Sequence, residues 1–429
     1  MNPSDKISRE SVLIIGTVDT KFDELAFLRD CVVEAGGRAV VMDVGVRNQS
    51  HFVAEITNRE VAAAAGVTLE DIADSVDENV AMQAMTRGAI AQTLKAFREE
   101  RVHGVLVLGG TMGTDLALDV TAALPVGVPK FLISTVSFSH LIPPERLAPD
   151  LMAILWAGGL YGLNSLCRSS LRMAANAVVG ACRNAAPIAL DRPIVGISSL
   201  GTSALRYIVA LKPALEQRGY EVAVFHATGM GGRALESLAA QKTFAAVLDL
   251  CLQEVANDVL GSIVTAGEDR LENAGRMGIP QIVAPGAIDM IDMPSWKATP
   301  HAYVGRPRHA HNRLIASVVS TASERRAVAR AIVPKLASSK GKVKVIVPRE
   351  GIQEWDRKGQ PLYEPEAHQA FVEEFVSGLG STIDVLVLDA HINDGQFTDS
   401  VMAVFDDWVR QGVIPQGVVE SSSGGSLRA

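Results

Sequence analysis

The sequence predicts an α/β fold with mostly parallel sheets, organised as two doubly wound domains. Short runs of consecutive apolar residues alternate with amphipathic stretches from end to end, as buried parallel strands covered by helices require. At 429 residues the chain also exceeds what one hydrophobic core usually serves, and its 48% apolar composition can fill two. Small-residue loops at strand exits are the third sign, because they mark the strand-to-helix turns of such sheets.

The first strand is expected at Val12 to Ile15, followed by a helix from Asp23 to Glu34 and a strand from Ala39 to Val44. A helix from Val80 to Glu100, strands at Val105 to Leu108 and Lys130 to Ile133, and a helix from Leu163 to Cys182 complete the first half. Proline and polar residues at Arg183 to Pro187 and Asp191 to Pro193 mark a connection. The reading is therefore residues 1–186 as an N-terminal domain and 187–420 as a C-terminal one, with 421–429 as a Ser/Gly-rich disordered tail.

The pattern then restarts. Strands are expected at Ile194 to Ser198, Glu221 to Phe225, Ala245 to Leu248, Gln281 to Val283, Val343 to Val347 and Asp384 to Leu388. Helices are expected at Ser203 to Gln217, Ser323 to Leu336, Glu366 to Ser377 and Asp399 to Arg410. The opening units, Gly16 to Gly37 and Gly196 to Gly219, are of similar size. That fits two related halves and equally fits any two doubly wound domains.

Forty basic against 48 acidic residues, a formal charge of −8, argue against a DNA-binding surface built on global positive charge. No window approaches the roughly 18 consecutive apolar residues of a membrane span, and the polar start at Met1 to Glu10 has no signal-peptide core. Cys31, Cys167, Cys182 and Cys251 lack the close spacing of zinc or redox motifs. They read as buried thiols of a cytoplasmic protein.

Three loops of the first half carry chemistry. Gly16-Thr17-Val18-Asp19-Thr20-Lys21 leaves the first strand, and Gly109-Gly110-Thr111-Met112-Gly113-Thr114 leaves the third. Ser134-Thr135-Val136-Ser137 follows the strand at Lys130. Glycines let backbone approach a ligand, helix N-termini offer N–H groups to an anion, and Lys21 adds a point charge. Each loop alone is more simply an ordinary capped turn. Together, at the carboxyl ends of strands in one domain, they favour a phosphate site, with Asp19 as a magnesium or ribose contact. None is a Walker A loop or a dinucleotide fingerprint.

These three stretches resemble signatures of the Tm-one-like ATP-binding family, bacterial proteins related to the N-terminal region of a plant inhibitor of tobamovirus RNA replication. The likeness continues through Phe225 to Gly232, Ala266 to Leu271, Pro285 to Asp289 and Arg308 to Asn312. It implies two Rossmann-like domains, ATP with Mg2+ bound mainly by the first, and homodimers. Carried over by position, Thr17, Asp19, Thr20, Lys21, Gly109, Gly110, Thr111, Gly113, Thr114, Ser134 and Thr135 become nucleotide contacts. Ser139-His140 and Leu155-Trp156-Ala157-Gly158-Gly159 depart from the family pattern, so the pocket differs there.

In the second half His226 follows a strand and precedes a glycine loop, and Asp249, Glu254, Asp269, Asp289 and Asp292 are expected at one cleft. His226, Glu254 and His311 are the candidate acid and base groups. His309 and His311, two apart, share a side only in extended chain, where they could hold a metal or simply bond locally, with Asn312 opening a helix. Arg349 offers itself to a carboxylate ligand or, more simply, to a surface salt bridge, Trp355 and Tyr363 to covering a ligand, and Met290, Met293 and Trp296 to packing.

The expected function is an ATP-binding protein that also holds a small anionic metabolite at the interdomain cleft. The alternatives are an ATP-independent hydrolase or lyase centred on the second domain, and a regulatory module without turnover.

Overall fold

The computed structural model describes residues 10–46, 54–73, 77–185 and 191–419. The tail from Ser421, nearly all of the polar N-terminus, and Ala186 and Pro187 of the expected connection lie outside them. The chain divides into two compact units, Met1–Ala189 and Leu190–Ala429.

Unit 1 runs β1 (Ser11–Gly16), α1 (Val18–Glu34), β2 (Arg38–Asp43), α2 (Asn58–Ala64), α3 (Leu69–Ala73), α4 (Glu78–Arg98), β3 (Gly104–Gly109), α5 (Thr111–Ala123), β4 (Lys130–Ser134), β5 (Leu151–Leu155) and α6 (Ser165–Asn184). The sheet order is β2-β1-β3-β4-β5, every pair parallel. Successive strand residues face opposite layers. Val12, Ile14, Leu106 and Leu108 pack with α1 and α6, while Leu13, Ile15, Val105 and Val107 pack with α2 to α5. This two-sided burial is why these strands read as continuous apolar runs. Gly88 lets α4 lie against α2, since a Cβ there would sit 1.9 Å from the Val61 carbonyl.

Unit 2 runs β6 (Ile194–Ser199), α7 (Ile208–Gln217), β7 (Glu221–His226), α8 (Met230–Ala240), β8 (Phe244–Cys251), α9 (Gln253–Val259), α10 (Asn273–Arg276), β9 (Gln281–Gly286), β10 (Met290–Pro294), β11 (Arg308–Ala310), β12 (Ile315–Val319), α11 (Ala322–Ala337), β13 (Val343–Pro348), α12 (Pro365–Leu379), β14 (Asp384–Leu388) and α13 (Gly395–Arg410). Its parallel sheet has the order β14-β13-β9-β8-β6-β7. α7 and α13 share a core with one face; α8 to α12 cover the other. Both units are doubly wound and Rossmann-like.

Three sequence expectations need correcting. A small antiparallel sheet, β10-β12-β11, was not foreseen. Within it Asn312 opens no helix: its side chain accepts from the Leu314 and Ile315 amides at 2.7 and 3.1 Å, closing the turn between β11 and β12. Trp296 does not pack in the core but is 56% exposed, with the Lys297 ammonium over its ring, whereas Met290 and Met293 are buried. All four cysteines are buried and free. Among the described residues no helix is long and apolar enough to cross a membrane.

Candidate ligand sites

In unit 1 the strand order reverses between β1 and β3, the switch point at which open α/β sheets bind ligands. The helices that follow these neighbours lie on opposite faces, and neither has a side-chain cap: α1 starts after Thr17 and α5 after Gly110. Gly109 is required by the close pass of α5, because a Cβ would fall 2.5 Å from the Gly113 Cα. Gly110 is different. A Cβ there would have only the Thr135 hydroxyl nearby, at 3.8 Å.

At the strand exits near this point the expected hydroxyls form two separate pairs. Thr114 and Ser134, both buried, share a hydrogen bond of 2.6 Å, and Thr17 and Thr20 share one of 2.7 Å. Ser134 also accepts from the Val136 amide at 3.0 Å. The α1 end is partly filled by the chain itself: Asp43 accepts from the Val18 and Gly45 amides at 3.0 and 2.8 Å. Burial raises the Asp43 carboxyl above its ordinary range, against the lowering pull of those two bonds. Lys21 donates to the Leu160 carbonyl at 2.8 Å and lies 5.2 Å from the centroid of the Tyr161 ring. The helix end left open is thus that of α5, with Thr111 and Met112 exposed on its first turn. Asp43 was missed because its distance from Thr17 in the chain hides the contact.

Unit 2 reverses its strand order between β6 and β8. A cavity of about 330 Å3 opens there, lined by Leu200, His226, Thr228, Gln253, Asp292, His309, His311 and Trp355 among others. His226 and His311 are therefore brought to one cavity. His311 Nε2 bonds the Ser317 hydroxyl at 2.8 Å, and that hydroxyl donates to Asp292 at 2.5 Å. With its proton spent on the carboxylate, Ser317 accepts from His311, which leaves Nδ1 as the acceptor nitrogen. Burial pushes Asp292 up to about 6 and His311 down to about 4, the latter helped by His309. The ring of His309 stacks on Trp355 at 4.1 Å and meets His311 at 4.6 Å.

Glu254 is not part of that cavity. It is fully buried, accepting from the Gly229 and Gly232 amides at 2.6 and 3.0 Å and from Arg270 at 2.8 Å. The glycine loop before α8 thus cradles an internal carboxylate. A Cβ on Gly232 would lie 1.8 Å from Glu254. Arg270 is also held by Asp249 at 2.5 and 2.7 Å and by Glu236 at 3.3 Å. Asp269 pairs with Arg233 at 2.8 Å, so the expected carboxylates do not meet at one cleft. They divide because Arg270 collects Asp249 and Glu254 beneath the sheet edge. Among the described residues no group of three or more His, Cys, Asp or Glu side chains is placed to hold a metal.

Sequence reasoning missed Ser317, Asn257 and Gln253. Asn257 Nδ2 donates to the Asp292 carboxylate at 3.2 Å, and its Oδ1 accepts from the Asp292 backbone N–H at 2.9 Å. Gln253 stands at the exit of the stretch from Phe244 to Leu252, apolar but for Asp249, where a polar residue meets a ligand edge; that signal was readable.

Family comparison decides the relationship. The model described as Uncharacterised protein family (UPF0261) N-terminal domain matches residues 10–187, and that of the C-terminal domain matches 192–409. The chain belongs to the UPF0261 family. A UPF0261 protein of Brucella melitensis is 52% identical over 408 residues, covering 95% of this chain and 98% of its own. One from Clostridium tetani is 32% identical, covering 90% and 96%. The ToMV resistance protein Tm-1 of Solanum lycopersicum is 30% identical over 92% of this UPF0261 chain but only 55% of its own length, which bears out the Tm-one-like resemblance. Among solved structures, a UDP-N-acetylglucosamine 2-epimerase aligns over 96% of this chain and 100% of its own, at 9% identity and a TM-score of 0.22. Likeness at that level supports no argument.

Proposed function

We propose that unit 1 binds the phosphates of Mg-ATP at the β1/β3 switch point and that unit 2 holds a small anionic metabolite in its histidine cavity. The observation that carries the nucleotide reading is the uncapped N-terminus of α5 beside the Thr114 and Ser134 hydroxyls, with Gly110 leaving the approach open. Thr17, Asp19 and Thr20 follow β1, and the Asp19 carboxylate lies beside Gly45 at the exit of β2. One carboxylate with phosphate oxygens and water is how magnesium is usually held, and Asp19 would be that carboxylate. Bound there, Mg2+ neutralises phosphate charge.

For unit 2 the reading is binding before catalysis. Glu254 is committed to the Gly229 and Gly232 amides and Arg270. His311 at about 4 is neutral at pH 7, a hydrogen-bond acceptor whose proton affinity is far below that of an efficient general base. His226, exposed at the cavity, is the remaining candidate for proton transfer.

The same reading makes the protein a cytoplasmic homodimer. Edge strand β5, with Met152 and Leu155 40% and 46% exposed, is a surface that a second copy can cover. Titration calorimetry with Mg-ATP tests the nucleotide site. A thermal-shift screen of anionic metabolites on wild type and His226→Ala tests the cavity: stabilisation that the variant loses supports it, and identical responses reject it.

A further inference from the structure

Unit 2 contains a second cavity, about 420 Å3, at the carboxyl end of β13. It shares no lining residue with the histidine cavity. Arg325 of α11 and His368 of α12 form its floor, and Arg349, Glu350, Asp356, Lys358, Tyr363 and Glu364 are among its other lining residues.

Arg325 is 1% exposed. Its Nε donates to Ser320 at 3.2 and 3.3 Å, its Nη2 has no acceptor, and among the described residues it makes no salt bridge. The charge of buried Asp289 reaches Arg325 without a salt bridge between them, and native interiors seldom leave a donor such as Nη2 bare. His368 is 5% exposed. Its Nε2 bonds the Pro348 carbonyl at 2.9 Å and is therefore the protonated nitrogen, which leaves Nδ1 as a lone-pair acceptor that no donor meets. The two are neighbours: burial lowers the proton affinity of His368, and the Arg325 charge adds to that lowering while Asp356 opposes it. Arg349, the arginine singled out in the sequence, instead pairs with Asp389 at 2.9 Å in solvent.

One orphan donor that is cationic and one orphan acceptor define the missing group. It must bring an anionic acceptor and a hydrogen-bond donor together. The N-terminus of α12 at Glu364 and Pro365, lacking a side-chain cap, adds to the attraction for negative charge. Glu350, Asp356 and Glu364 share the lining with Arg349, Arg357 and Lys358, so little positive charge is left over beyond Arg325, which suits a singly charged anion. We propose that this cavity binds a small monocarboxylic acid that also carries a hydroxyl or ammonium group, its carboxylate on Arg325 and its donor on His368 Nδ1. Planar carboxylates suit the guanidinium fork.

The site is independent of the nucleotide and histidine-cavity readings. Calorimetric titration of the full chain with lactate, alanine, acetate and inorganic phosphate tests it. Lactate or alanine is expected to bind at least ten-fold more tightly than acetate or phosphate, the better of the two assigning the donor as hydroxyl or ammonium. Arg325→Lys should weaken that binding at least ten-fold, and His368→Phe should erase the preference over acetate. Both should leave the response to Mg-ATP as it is in wild type. If Arg325→Lys does not fold by circular dichroism, the acid panel and His368→Phe decide. No binding of any acid up to millimolar concentration, a preference for phosphate, or unchanged affinity in folded variants would overturn the proposal and leave bridging water as the occupant.

Discussion

Asp292 and Glu254 show at single residues how burial sorts apparently similar acids. Asp292 sits near 6 in the fold against 3.8 unfolded. The native state therefore holds a proton that the unfolded state has released, and this contribution to stability is present below about pH 4 and lost as pH rises through 6. Asp292→Asn does not titrate. Its melting temperature relative to wild type should rise from pH 4 to pH 7, by an amount worth at most about 3 kcal/mol; a difference independent of pH would contradict the assignment. Gly232→Ala tests the other acid. Its Cβ would displace Glu254 from the α8 amides, and uncoupling a buried ion pair costs about 3 kcal/mol or more, measurable by urea denaturation. Near-wild-type stability would mean that Glu254 is not held as described.

Helix ends and strand exits, at the next scale, decide where ligands can go. α11 begins with a reciprocal capping box, Thr321 and Glu324, and Glu324 also receives Arg306 at 2.7 Å. Thr321→Ala should cost about 1 kcal/mol in thermal or chemical unfolding. α1 and α5 lack such caps, and the difference between them is Asp43, which takes the Val18 amide. All strands of the two main sheets except β5 were legible, the central ones because two-sided burial makes them apolar without interruption, as in Val12 to Ile15 and Val105 to Leu108. β11, with Arg308 and His309, was not: short and half-exposed, it carries no such run. The Gly109 to Thr114 and Ser134 loops were readable from small residues at strand exits. Arg325, a mid-chain residue on an ordinary amphipathic helix, gave no local sign of the cavity it enters.

At the scale of the whole molecule, both units wind their sheets in the same sense: the strand that opens each unit lies between its second and third. Each sheet therefore has a switch point, and each gathers polar side chains there. That the chain has such a sheet in each half was readable from the sequence. Which loops adjoin was not, because strand order depends on pairings between segments far apart in the chain. The central claim is that the α5 N-terminus of unit 1 is a nucleotide-phosphate site. Gly110→Val is the sharpest probe, since the position has an extended backbone and room for a Cβ, while a branched side chain would obstruct the α5 amides. Calorimetric titration of wild type and Gly110→Val with Mg-ATP should show binding in the first and at least ten-fold weaker binding in the second, at equal thermal stability. No binding by wild type, or equal affinity in both, would contradict the account.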